Sequence, residues 1–269
     1  MIIGIDIGST TTKAVSIEDG KVTRKIKTKA LDAVTSATGA LGKIVLENGI
    51  QINTIEKIVI TGAGASKINN DIFGIPTDRV NEIDAIGIGG MFLSGMRNII
   101  ITNIGTGTVI IEAGDMGIYH FGGSGVGGGT IFGLAKKLIP TDEIRDIMEL
   151  AKTGKISNVD LLLGDITDAG LSFLSGETTA SNFGKMLDIA APNDIALAII
   201  NMVYQVIGVL SVFAARAKGS ERVIVTGRGS NNVIGQRVLS EITKMYGIDF
   251  FYPESAEYTT AIGAGLSRT

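Results

Sequence analysis

The stretch Gly4-Ile5-Asp6-Ile7-Gly8-Ser9-Thr10-Thr11-Thr12-Lys13 joins a short apolar run, through one carboxylate, to a loop of glycine, serine and threonine. Residues without bulk let backbone N–H groups and hydroxyls press against phosphate oxygens, so this is the composition of a phosphate-gripping loop. Two later stretches repeat it against β-type runs: Asn103-Ile104-Gly105-Thr106-Gly107-Thr108 and Val225-Thr226-Gly227-Arg228-Gly229-Ser230. Their order along the chain suggests one nucleotide held from three sides.

Outward from the first loop, residues 2–6 read as a strand, and 13–18 and 21–28 alternate about Asp19-Gly20, a hairpin turn dipeptide. Helical spacing is expected over 31–48, a buried strand over 57–61 and a helix over 81–96. The pattern then restarts. A strand over 98–102 feeds the second loop, 108–113 and 117–121 flank a Gly114-Asp115 turn, and a helix follows the glycines of 122–129. Two halves with the same opening imply a duplication, giving two α/β domains, 1–97 and 98–269, that face each other across a cleft. The second half continues with a helical region over 141–152, a variable stretch over 154–181 and a long apolar helix. A strand at 222–226, a helix over 231–246, a strand at 249–252 and a final helix from Thr259 complete it.

Composition narrows the chemistry. The 269 residues carry a formal charge of -3 and 5% aromatics, which leaves no basic stripe and few stacking platforms for nucleic acid. With no cysteine and one histidine, disulfides, thiolate nucleophiles and cysteine-ligated metal or iron–sulfur sites are excluded, so any metal should be oxygen-ligated. The N-terminus has no export signal, and a cytoplasmic location is expected. Residues 195–215 lack formal charge and are long enough to cross a bilayer, but Asn201, Gln205 and Ser211 interrupt them. Asn193 and Asp194 after Pro192 read as a helix start, so the stretch is expected inside the protein or at a dimer contact, not in lipid.

The chain resembles the actin-like ATPase and sugar kinase superfamily, with its two ribonuclease H-like domains about a nucleotide cleft, and within it type II, eukaryotic-like pantothenate kinases. The resemblance rests on the first two loops, Val80-Asn81-Glu82-Ile83-Asp84-Ala85 and Gly122-Gly123-Ser124-Gly125-Val126-Gly127-Gly128-Gly129-Thr130. Thr179-Ala180-Ser181-Asn182-Phe183-Gly184 and Ala261-Ile262-Gly263-Ala264 extend it to essentially the whole chain. It implies ATP with Mg²⁺, a small-molecule alcohol as acceptor with pantothenate the first to test, and a homodimer.

Asp6 ends a strand where a carboxylate can hold a hydrated Mg²⁺ against phosphate; a capping aspartate is the plain alternative. Lys13 can return along the hairpin to neutralise phosphate charge, or be a solvated strand lysine. Gly8, Ser9 and Thr10 form the first loop and Gly105, Thr106, Gly107 and Thr108 the second. Gly125, Gly127, Gly128 and Gly129 are expected to open a helix whose free N–H groups favour an anion, and Gly227 and Ser230 to lie against the adenosine. Residues 123–128 also fit Gly-x-Gly-x-x-Gly, but mid-chain and without the acidic residue of a second strand. The resemblance assigns Glu82 as catalytic base, where a helix-dipole role would need no chemistry, and Asp84 is the competing carboxylate. It places an arginine where this chain has His120, contacting substrate, and a substrate-pocket tyrosine near Tyr252. Histidine offers no permanent forked charge, which puts pantothenate itself in question.

Residues 4–15 are also similar to the start of activator ATPases that drive electrons into 2-hydroxyacyl-CoA dehydratases. Their bridging iron–sulfur cluster demands cysteines that this chain lacks. A nucleotide-driven conformational partner, or a regulatory ATPase without an acceptor, remains as an alternative to a kinase.

Overall fold

Asp19-Gly20 turns the chain with both residues at positive φ, and the hairpin expected around it is present. The computed structural model describes residues 1–139, 147–167 and 175–267. Strands β1 (Ile2–Ile7), β2 (Thr11–Glu18) and β3 (Lys21–Lys29) pair antiparallel, and helix α1 (Ala33–Asn48) follows. Asp32 caps that helix by accepting from the Thr35 N–H at 3.0 Å, which sets its start two residues inside the expected stretch. Strands β4 (Lys57–Thr61) and β5 (Thr77–Arg79) add in parallel beside β1, so the first sheet has the order β3-β2-β1-β4-β5. Helix α2 (Glu82–Ser94) ends the first half on Gly95, in the left-handed region.

The second half repeats this plan. Strands β6 (Ile99–Ile104), β7 (Thr108–Gly114) and β8 (Gly117–Ser124) form its antiparallel part, and α3 (Gly128–Leu138) follows. The turn between β7 and β8 sits at Asp115-Met116, one residue beyond the expected dipeptide. Asn98 accepts from the Asp115 N–H and, with Arg97, holds its carboxylate. After α4 (Ile147–Ala151) come β9 (Leu161–Leu162), α5 (Leu163–Ile166), β10 (Thr179–Ser181) and the long helix α6 (Pro192–Ala217). Of the regions expected over 141–152 and 154–181, residues 141–146 and 168–174 lie outside the described residues. Strand β11 (Arg222–Thr226), helix α7 (Val233–Tyr246), strand β12 (Asp249–Phe251) and helix α8 (Thr259–Leu266) close the chain. The second sheet runs β12-β11-β6-β7-β8, the same order and the same parallel and antiparallel pairings as the first.

Polar residues inside α6 are bound to neighbours. Ser211 meets the Thr102 hydroxyl at 2.8 Å, Asn201 donates to Asp160, and Gln205 accepts from Asn182. Asp160 also accepts from Thr179 and from the Phe183 N–H, so the segment from Thr179 to Gly184 is tied to α6 through one buried carboxylate. Asp194 caps the helix head and holds Lys155 and Asn158. Helix α6 is the one described helix long and apolar enough to cross a membrane, and its apolar window is 67% buried within the protein.

The last helices of the two halves change places. Ile86 of α2 packs with Ile99, Ile101, Ile111 and Ile224 of the second sheet, whereas Ala261 and Ile262 of α8 pack with Val15 and Ile17 of the first. Backbone contact makes this crossing close: a Cβ on Gly263 would stand 1.7 Å from the Ala85 carbonyl oxygen, and one on Gly4 2.1 Å from that of Ala261. The expected boundary at Arg97 falls in the short connection from α2 to β6.

Candidate active site

The carboxyl ends of β1, β4, β6 and β11 all carry glycine loops, the position where α/β sheets receive ligands. The first and second loops meet: the Ser9 and Thr106 hydroxyls are 2.9 Å apart, joining the two halves at their tips.

Asp6 sits at the end of β1 opposite Lys13 of β2, and the antiparallel register brings the ammonium to 3.7 Å from Asp6 Oδ2. Both side chains are buried. Lost hydration raises the Asp6 pKa above the usual carboxylate value, and the charge and hydrogen bond of Lys13 pull against that rise. Glu82 opens α2, but the cap of this helix is Asn81, whose side chain accepts from the Ile83 N–H at 2.8 Å. Although Glu82 as a residue is exposed, protein atoms crowd its carboxyl enough to raise its pKa, and the negative charge of Asp6 adds to the rise while Lys13 opposes it. Two carboxylates and one ammonium therefore sense one another at the mouth between the halves. Asp84 is two residues further along α2, about 200° around the helix from Glu82.

The second loop is a tight turn closed by the Gly105 N–H on the Gly107 carbonyl. Of the N–H groups expected to be free at the head of α3, those of Gly127, Gly128 and Gly129 are taken. Gly128 and Gly129 donate to the carbonyls of Gly105 and Thr106 at 2.9 and 2.8 Å, and Gly127 donates to the Thr130 hydroxyl. Their lack of side chains instead lets the helix seat on the loop, since a Cβ on Gly127 would stand 2.8 Å from Gly107 Cα. Thr108 braces the same corner by donating to the Val126 carbonyl, and Gly125 accepts from Thr130. In the third loop the Ser230 hydroxyl turns inward and donates to the Gly227 carbonyl; Tyr204 of α6 donates to the Gly229 carbonyl at 2.6 Å. Asn232 caps α7, accepting from the Gly235 N–H at 2.8 Å.

His120 pairs with Ile111 in β8, so it shares the sheet face that packs on α2. Tyr252 follows β12 on the other face, against the core beneath α6 and α7. Burial pushes its hydroxyl pKa up, and the charge of Asp249 adds to this. The two expected substrate contacts thus lie on opposite faces of the second sheet.

A fourth loop escaped the sequence reading. Thr61-Gly62-Ala63-Gly64 ends β4 as Thr226-Gly227-Arg228-Gly229 ends β11. Gly62 and Gly227 have φ of 87° and 79°, which side chains rarely adopt. A Cβ on Gly64 would meet Ile7, and one on Gly229 would meet Ile104, each at 2.3 Å. The signal was the repeated Thr-Gly-x-Gly after an apolar strand.

Among the described residues no group of three or more His, Cys, Asp or Glu could cage a metal. The single buried carboxylate of Asp6 at the loop fits an ion such as Mg²⁺, which takes few protein ligands and keeps water and phosphate oxygens around it.

Residues 94–267 match the family model described as Fumble. A type II pantothenate kinase of Bacillus cereus is 35% identical over 228 residues, covering 81% of this chain and 83% of the relative. Another, from Bacillus thuringiensis subsp. konkukian, is 32% identical over 279 residues, covering 99% and 97%. Among solved structures, the activator of the 2-hydroxyisocaproyl-CoA dehydratase from Clostridium difficile with bound ADPNP superposes with a TM-score of 0.70 at 18% identity, covering 98% of this chain and 92% of that one. The last likeness is one of fold.

Proposed function

The chain belongs to the Fumble family together with the type II pantothenate kinases, and on that premise we propose that it is an ATP-dependent kinase. Its acceptor is the primary hydroxyl of pantothenate, and the product, 4'-phosphopantothenate, serves coenzyme A synthesis. The observation that carries this reading is the buried Asp6–Lys13 pair at the first loop, with Glu82 at the head of α2 within reach of both charges.

Glu82 orients the acceptor hydroxyl and takes its proton as the O–H bond breaks and the oxygen bonds to the γ-phosphorus of ATP. The bond from that phosphorus to ADP breaks in the same displacement. Lys13, the N–H and hydroxyl groups of residues 8–10, and those of Thr106 with the Gly107 N–H neutralise charge on the transferring group, while Gly105 and Thr108 hold the second loop in shape. Asp6 is the residue that would hold Mg²⁺, which supplies further charge neutralisation at the phosphates. Gly125, Gly127, Gly128 and Gly129 act at second hand, by fixing the second loop, and Gly227 and Ser230 shape the third loop for the nucleoside. His120 faces the acceptor; Tyr252 belongs to the support beneath the third loop. The units 1–97 and 98–269 close over the substrates and exclude water. A cytoplasmic homodimer completes the reading, with the partly exposed apolar face of α6 as the contact.

Glu82→Gln keeps the shape and removes the base. It should lower transfer by about 10²–10⁴-fold with nucleotide affinity nearly unchanged, as read from acceptor-dependent ADP release and calorimetry. Substantial turnover in that variant removes Glu82 from the mechanism, and ADP release that ignores the acceptor points to a nucleotide switch instead of a kinase.

A further inference from the structure

The internal repeat exposes two buried hydroxyls, those of Thr12 and Thr61, that are out of step with their counterparts, and Thr61 is the one in register with Asp6. Asp6 lies opposite Thr61, which precedes Gly62, just as Asn103 lies opposite Thr226, which precedes Gly227. The side-chain oxygens occupy equivalent places. Asp6 Oδ1 is 2.6 Å from where a Cβ of Gly62 would be, and Asn103 Oδ1 is 2.8 Å from the same point at Gly227. In the second half the Thr226 hydroxyl donates to Asn103 Oδ1 at 3.0 Å. In the first half the Thr61 hydroxyl is fully buried and has no hydrogen-bond partner among the described residues. Buried hydroxyls are rarely left so, and one beside a candidate site marks a bond reserved for another state.

We propose that Thr61 is a positioning residue whose hydroxyl donates to Asp6 Oδ1 when nucleotide fills the cleft. The proposal rests on the functional reading above. Lys13 now compensates the buried carboxylate at 3.7 Å. Phosphate entering the first loop draws the ammonium toward itself, and a carboxylate that is to hold Mg²⁺ then needs another group to fix its orientation. Rotation of Thr61 about χ1, among its staggered positions, supplies one from the register position that Thr226 already uses. The carboxylate keeps its orientation while Lys13 serves the phosphate.

The test compares Thr61→Val, which keeps the shape without the hydroxyl, with Thr61→Ser and Asp6→Asn. The nucleotide-free Tm of Thr61→Val should equal or exceed that of the wild type, because the deleted hydroxyl had no partner. Its kcat should fall about tenfold, the worth of one hydrogen bond to a charged group, with KM for the acceptor unchanged. The rise in Tm on adding Mg–ATP analogue should shrink, and Thr61→Ser should restore both. Wild-type kcat and a wild-type nucleotide-induced rise in Thr61→Val overturn the proposal. So does a nucleotide-free Tm that drops in step with activity, since a merely structural threonine does that. If Asp6→Asn turns over like wild type, the functional reading fails and takes the proposal with it; if Asp6→Asn is inactive while Thr61→Val is unaltered, the proposal alone fails.

Discussion

Glu82 feels the like charge of Asp6 and the opposite charge of Lys13, and the consequence is a pH dependence whose sign is fixed. Burial and the Asp6 charge both favour the protonated form of Glu82. A base must be unprotonated, so activity should fall on the acid side, with the limb above the ordinary carboxylate range of about 4. Because the carboxylates interact, the apparent pKa belongs to the pair. Removing the opposing charge by Lys13→Met should move the limb of the residual kcat/KM to still higher pH. A limb that stays put, or moves down, shows that Lys13 does not act on the base. At this scale the sequence displayed Asp6, Lys13 and Glu82 but not their proximity. Asp6 and Lys13 are joined by the hairpin register; Glu82 arrives from 69 positions beyond Lys13 only because β4 and β5 lie beside β1.

Between elements, the closest approach is the crossing of α2 and α8, where Gly89 and Gly263 let backbone meet backbone. Gly263→Ala must push the helices apart and should destabilise by about 1–3 kcal/mol in chemical denaturation. Gly39→Ala, on the exposed face of α1 with nothing within 4 Å of the added methyl, should instead stabilise by about 0.5–1 kcal/mol. Equal effects at the two positions would refute packing as the reason for glycine at 263. The caps at Asp32 and Asn81 came from the structure, whereas the periods of these helices could be read along the chain, as the expected spans 31–48 and 81–96 show. The crossing could not, because a small residue in a helix looks the same whether another backbone or solvent lies over it. The same ambiguity hid the glycines of 127–129, which read as anion donors and prove to seat α3 on the second loop.

For the whole molecule, α6 leaves Val206 and Phe213 exposed, with Met202 and Leu210 half-buried beside them, after burying its other face in the second half's core. A homodimer through this face predicts the mass of two chains in light scattering. Phe213→Glu should shift it to one chain while changing the stability of the monomer, compared at concentrations where wild type is also dissociated, by no more than the ordinary surface effect of about 0.5 kcal/mol; a wild-type monomer at micromolar concentration rejects the contact. What the sequence by itself determined is the repeated strand-loop-hairpin plan, the loop chemistry and the exclusion of cysteine-based centres, since hydrophobic period, turn residues and composition are local properties. Tertiary structure alone decided which carboxylates share a space, which loop N–H groups are spent, the fourth loop's equivalence to the third, and the exchange of α2 and α8. Those depend on strand order and helix crossing, which bring together residues far apart in the chain, and no local pattern encodes that distance.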